Sequence, residues 1–281
     1  MEKTKRFTLN AVTYIFLTAI GLIVVLPLLY AFFGSLKENM ELMTGNNILP
    51  QKITFDNYVY AWKNVHFVQY TKNSLIMSVG VVIGTVVVST MAGYVFSRLK
   101  DLPFLNIIKG VYLASIFISL GPTTLYPVFK LLTGLRLNNT YFGLIISHVG
   151  AQVVNIVLVE GYLNGIPREL DEAAIIDGCG FFNTFVRIIL PLIRPIIAII
   201  ALLAFKHAWN SYLLPSVLTM GNPDMQPLSV AIVALKSDGK MATMWSVILA
   251  GANISLIPMI VVYCICNKQF ISGLTVGGVK G

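Results

Sequence analysis

Charge is scarce in this 281-residue chain, and where it gathers it forms one pattern, GIPRELDEAAIIDGCGFFNTFVRIILPLIRP from Gly165 to Pro195. Pro167 suits the opening turn of a helix, and Glu169, Asp171 and Glu172 follow where the helix macrodipole favours anions. Leu170, Ala173, Ala174 and Asp177 share one face by i, i+3, i+4 spacing, while Gly178 and Gly180 offer the left-handed backbone that ends a helix. A second helix is expected from near Asn183. The product is a helix, a glycine turn and another helix, with Ala173 and Ala174 small enough to let that face sit deep in a groove. An amphipathic linker lying on a membrane surface is the alternative that composition allows.

Reactive chemistry has little support elsewhere. There is no GxxxxGK[ST], and in the nearest approach, Gly273 to Lys280, Val279 stands where the lysine should follow the second glycine. HExxH, GxSxG and paired carboxylates within the apolar runs are missing too. Cys179, Cys264 and Cys266 give neither a disulfide framework nor a CxxC metal spacing. The chain is therefore expected to be no enzyme and to hold no metal. Its net charge of +8 comes from basic residues scattered between apolar runs, the pattern of loops beside anionic lipid rather than of a nucleic-acid site.

Polar side chains inside apolar runs are the other candidates, because each must find a partner or water. They are His148, Gln152 and Asn155 in one run, Lys206, His207, Trp209 and Asn210 in the next, and Asn253 in the last. The four- and three-residue steps of His148, Gln152 and Asn155 put them near one helix face. Trp209 and Tyr212 offer ring faces beside Asn210, a combination that can stack on a sugar while bonding its hydroxyls. Hydrogen bonding between helices competes with a substrate path for all of these, and Lys206 could snorkel or meet Glu160.

The elements that must position these residues are six apolar runs: 12–33, 75–96, 110–129, 140–159, 196–214 and 245–266. Each is about 19 to 22 residues long, enough at ~1.5 Å per residue to cross a hydrocarbon core of ~30 Å. With 56% hydrophobic and 11% charged residues, the chain is expected to be an all-α membrane protein of six transmembrane helices in one domain, 1–281, with the 165–195 loop projecting from it. Pro27, Pro122 and Pro258 predict kinks rather than breaks. A cytoplasmic N-terminus would place Arg6, Arg98, Arg168, Arg187 and Arg194 inside and Arg136 outside, and would return the C-terminus to the cytoplasm. Lysine discriminates less, since Lys37, Lys52, Lys63 and Lys72 fall in the first external segment. That segment, Gly34 to Lys72, reads as an ordered cap through Ile53, Phe55, Tyr58, Trp62 and Phe67, or as a face for a partner. Gly80 and Gly84 have the small-xxx-small spacing of close helix packing, within the chain or between chains.

Glu172, Ala173, Ala174, Asp177, Gly178, Phe185, Ile188, Pro191 and Pro195 match the EAA loop of ABC importer permeases, whose pattern is Glu-Ala-Ala, three residues, Gly, then apolar residues and a Pro. NSLIMSVGVVIGTVVVSTMAGYVFSRL, LRLNNTYFGLII, HAWNSYLLP and QFISGLTVGGVKG extend the likeness over nearly the whole chain, which resembles the smaller six-helix subunit of the maltose-transporter class. The resemblance implies that Glu172 to Gly178, with Pro191, couples to a separate cytoplasmic ATPase dimer that uses ATP and Mg, cofactors this chain would not itself bind. It implies that Gly273, Gly277, Gly278 and Lys280 contact that ATPase through the C-terminal tail. A second homologous permease subunit forming a heterodimer, an extracytoplasmic solute-binding protein and the lipid of a prokaryotic inner membrane are the other partners it implies. A permease for glycerol phosphate or another polar solute is the alternative cargo. A secondary transporter would need a carboxylate within a membrane helix, and none of the six runs holds Asp or Glu.

Overall fold

The computed structural model describes residues 2–45, 47–64, 66–100, 102–117, 121–150, 152–237 and 244–278. Helices and turns make up these residues, with no strand among them. The chain divides into two compact units, Met1–Val68 with Ile232–Ile257 and Gln69–Ala231 with Pro258–Gly281.

The first unit begins with α1 (Glu2–Ser35), which runs unbroken through Pro27. From Asn10 to Ser35 it is long and apolar enough to cross a membrane, and its apolar side chains stay exposed all round, Tyr14 at 71% and Ile23 at 69%. Surface of that kind is stable in hydrocarbon rather than water. The expected cap follows as α2 (Asn39–Thr44) and α3 (Asp56–Asn64). Its order comes from polar groups reaching backbone: the Asn57 amide donates to the carbonyls of Ser35 and Lys37, at 2.8 Å each, and the buried Lys37 ammonium donates to the Asn47 carbonyl. Trp62 stacks on the buried Phe67, while Ile53 and Phe55 remain exposed.

In the second unit α4 (Phe67–Arg98) is long, and its interior is partly buried. The sequence then gives α5 (Pro103–Phe117), α6 (Leu125–Gly134), α7 (Tyr141–Val149) and α8 (Val153–Leu163). The 110–129 run is thus shared between α5 and α6, and Pro122 lies in a short 3-10 turn, Gly121–Thr124, instead of kinking a helix. The left-handed backbone at Gly121, φ 51°, suits a turn there. The 140–159 run is also divided. Thr140 accepts the Gly143 amide at 3.0 Å to open α7, and α8 departs at 53° after Gln152.

Beyond α8 come α9 (Glu169–Ile176), α10 (Phe181–Thr184), a π-helical turn at Phe185–Ile189, α11 (Leu190–Leu192), α12 (Arg194–Trp209) and α13 (Leu213–Leu218). Pro191 explains the π turn: its ring would strike the carbonyl of Arg187 in a regular helix, and the turn widens so that the Leu190 amide reaches Phe185 oxygen. Pro195 starts α12 afresh, leaving an 81° corner at Ile193 between the segment Phe181–Leu192 and α12. Tyr94, Val159, Leu163, Phe185, Ile189, Ile193, Ile196 and Ile200 form the buried core that holds this corner against α4 and α8. A second core gathers Met77, Val81, Leu132, Leu144, Ala208 and Leu218.

Last are α14 (Leu228–Ser237) and α15 (Trp245–Gly278), the latter unbroken through Pro258. Among the described residues three helices are long and apolar enough to cross a membrane alone, and the two bent pairs raise that to five. The six runs are therefore not six equivalent rods. Gly273, Gly277 and Gly278 continue α15, and Lys280 lies outside the described residues.

Candidate functional site: a pinned helix and a polar cleft

α9 starts at Glu169, with Arg168 as its N-cap, so Pro167 precedes the helix instead of opening it. Glu169, Asp171 and Glu172 occupy its first turn. Its end is a Schellman motif: the Gly178 amide bonds Ile175 oxygen at 3.0 Å and the Cys179 amide bonds Ala174 oxygen at 2.8 Å. Gly178 takes φ 82°, which this motif requires, whereas Gly180 is extended at φ −73° and contributes no left-handed turn. The second helix starts at Phe181, two residues before Asn183.

Ala174 corrects the expected face. It is 2% exposed and belongs to the side packed inward with Asp171, while Glu172, Ala173 and Asp177 stay exposed and Ile176 is 85% exposed. The inward side is held by charge. Asp171 Oδ2 lies 2.9 Å from Arg98 Nη2, and Asp171 Oδ1 accepts the Tyr94 hydroxyl at 2.9 Å. The Tyr94 ring packs on Phe181 and Phe185, with centroids 4.7 and 5.1 Å away. Neither Arg98 nor Tyr94 was singled out by sequence spacing as a partner of this loop, because some seventy residues separate them from Asp171. Pro191 acts on the same segment through the π turn.

The polar residues of the apolar runs separate into a cleft and its supports. A cleft of about 810 Å³ is lined by His148, His207, Asn210, Ser211 and Tyr212, with Ser147 and Thr124 beside them and Leu125, Val128 and Leu213 supplying apolar wall. His148 is buried, its Nδ1 2.8 Å from Leu144 oxygen and its Nε2 2.9 Å from Ser211 Oγ. A carbonyl only accepts, so Nδ1 carries the proton and, in the neutral ring, Nε2 accepts from the Ser211 hydroxyl. His207 meets the same ring edge-on at 5.7 Å.

Gln152 and Asn155 stand behind this surface: the Gln152 amide donates to His148 oxygen at 3.1 Å, and Asn155 donates to Gln152 Oε1 at 2.6 Å. Trp209 is turned inward, 4% exposed and stacked on Phe205, so Tyr212 alone of the two expected rings reaches the cleft. Asn253 belongs to the first unit, where its amide donates to Ala31 oxygen at 3.1 Å. Glu160 pairs with Lys109 instead of Lys206. The helical pattern of the apolar run gave no signal for Ser211, which faces the cleft because α12 ends at Trp209 and the chain turns at Asn210.

Residues 5–268 match the family model described as "Binding-protein-dependent transport system inner membrane component". The arabinooligosaccharides transport system permease protein AraQ of Halalkalibacterium halodurans is 32% identical over 266 residues, covering 93% of each chain. The galactooligosaccharides transport system permease protein GanQ of Bacillus subtilis is 31% identical over 288 residues, covering 99% of this chain and 98% of its own. A bacterial ABC transporter involved in the import of the acidic polysaccharide alginate shares the fold, with a TM-score of 0.79 at 23% identity over 93% of this chain and 96% of that one. Matched over residues 5–268, this apolar helical chain belongs to the inner-membrane components of binding-protein-dependent transport systems.

Proposed function

We propose that this chain is the permease subunit of an ABC importer that moves a sugar or oligosaccharide by alternating access, with α9 as the lever driven by a separate ATPase dimer. The single observation that carries the lever is α9 itself: a helix held inward at Asp171 and Ala174 that presents Glu172, Ala173, Ile176 and Asp177 outward, available to a partner. The ATPase subunits, not this chain, would bind ATP and Mg. A second homologous permease would complete a heterodimer, and an extracytoplasmic binding protein would deliver the solute. Six crossings, with the two bent pairs and the α5–α6 region each counted as one, keep both termini cytoplasmic and put α9 on the ATPase side. Gly273, Gly277 and Gly278 at the end of α15, together with Lys280, would then make a second ATPase contact.

A sugar cargo is supported by the oligosaccharide relatives and by the cleft, whose lining pairs hydrogen-bonding side chains with the Tyr212 ring and, among the described residues, includes no Lys or Arg. His148, Asn210, Ser211 and Tyr212 would bond or stack on hydroxyl-rich rings there. A phosphate-bearing cargo would call for fixed cations. The test is uptake by membranes carrying this chain with its partner subunits. Labelled oligosaccharide accumulates in an ATP-dependent manner, and accumulation of glycerol phosphate alone would reject the sugar reading. Normal uptake by a variant charge-reversed at Glu172 and carrying a bulky residue at Gly178 would reject the lever.

A further inference from the structure

One guanidinium meets both ends of the connection between α8 and α9. Arg98 Nη1 donates to the carbonyls of Leu163 and Ile166 at 3.4 Å, and Nη2 to Ile166 oxygen at 3.4 Å. Leu163 ends α8, where carbonyls lack helical partners and the dipole is negative. The same Nη2 lies 2.9 Å from Asp171 in the first turn of α9. Arg98 thus bridges the end of α8 and the start of α9. A planar fork does this where a single ammonium would reach fewer partners.

The contact is sealed and reinforced. The Arg98 and Asp171 side chains are 7% and 15% exposed, so salt screens them weakly. Tyr94, one turn earlier on α4, holds the other Asp171 oxygen. Ser97 donates to Asn164 Oδ1 at 3.1 Å, and Arg168 donates back to Ser97 oxygen at 3.3 Å. Beside the pair lies a pocket of about 240 Å³ bordered by Arg98, Asp171, Glu172 and Phe181.

We propose that Arg98 and Asp171, supported by Tyr94, form the joint that carries displacement of α9 into α4, making them positioning residues for coupling. This rests on the reading of α9 as the lever. Removing the joint leaves the outward face of α9 intact, so the ATPase still docks and turns over while its work fails to reach the bundle.

The experiment uses the complete transporter reconstituted with its partner subunits, reading sugar uptake and ATP hydrolysis together. In Asp171→Asn, which keeps shape and the Tyr94 contact but removes charge, the ratio of uptake to ATP hydrolysed falls about 3- to 30-fold, with ATPase still co-purifying. An unchanged ratio overturns the joint. Should Asp171→Asn fail to assemble, Tyr94→Phe deletes one hydroxyl and is read the same way: a ratio lowered at least about 2-fold supports the joint and an unchanged one overturns it. Charge reversal at Glu172 distinguishes the two levels. Full uptake in that variant removes the lever itself, whereas lost uptake there with an unchanged ratio in Asp171→Asn removes only the joint.

Discussion

Gly93 sits so near Val159 that a Cβ at Gly93 would stand 2.7 Å from Val159 Cγ1 and 3.2 Å from the Glu160 backbone nitrogen. Gly84 meets Val149 in the same manner, and Gly80 meets Ile145. The small-residue spacing on α4 is therefore used within the chain, where it seats α7 and α8 against α4. That close seating brings the Arg98 end of α4 to the start of α9.

Gly93→Ala is expected to destabilise the solubilised protein by about 1–3 kcal/mol, since the neighbours include backbone that cannot turn aside. Gly161→Ala is the control, for nothing lies within 4 Å of that helical position. It should be neutral or more stable by up to ~1 kcal/mol, the helix-propensity difference between Gly and Ala. Thermal unfolding of the two variants in one detergent checks both signs.

Arg98→Ala leaves Asp171 in a nearly sealed site without its cation, at a cost of about 3–5 kcal/mol. Lys52→Ala breaks an exposed pair with Glu38 and should cost no more than ~1 kcal/mol. Comparing the melting temperatures of the variants tests the ranking. Equal shifts would contradict the assignment of the buried pair.

Gly178→Ala forces a side chain onto φ 82° and is expected to cost about 1–2 kcal/mol locally, loosening the end of α9. Gly180→Ala, at φ −73°, carries no such strain. The first variant should lower substrate-stimulated ATP hydrolysis by the assembled transporter and the second should leave it near wild type.

If the cleft holds sugar, Asn210→Ala and Tyr212→Ala raise the half-saturation concentration for uptake, each lost contact being worth about 0.5–1.5 kcal/mol or roughly 2- to 10-fold. Asn155→Ala, behind the lining, should lower stability without moving that concentration. Uptake curves at graded sugar concentrations, alongside thermal unfolding, separate the two behaviours.

Periodicity and local chemistry made the long helices and the glycine-ended α9 legible, because apolar runs of that length and the Schellman requirement at Gly178 are local demands. The breaks were harder to read. Pro122 and Pro191 announce an interruption, but whether a helix kinks, widens into a π turn or stops depends on the groups packed around it. The inward turn of Ala174 depends on Asp171 finding Arg98, a long-range meeting that spacing along α9 cannot reveal. Trp209 misled for a related reason: aromatic type suggested a sugar platform, while Phe205, one turn earlier, gave the ring a stacking partner in the core.

α1 carries a consequence for how such a chain is made. Since the stretch from Asn10 to Ser35 buries none of its apolar window against its own chain, lipid alone can satisfy its side chains while the helix satisfies its backbone. α1, made before the helices that follow it in the chain, can thus settle in the bilayer before any of them exists. The corner at Ile193 has no such independence and must await α4 and α8, so the same chain combines an autonomous anchor with a cooperative joint.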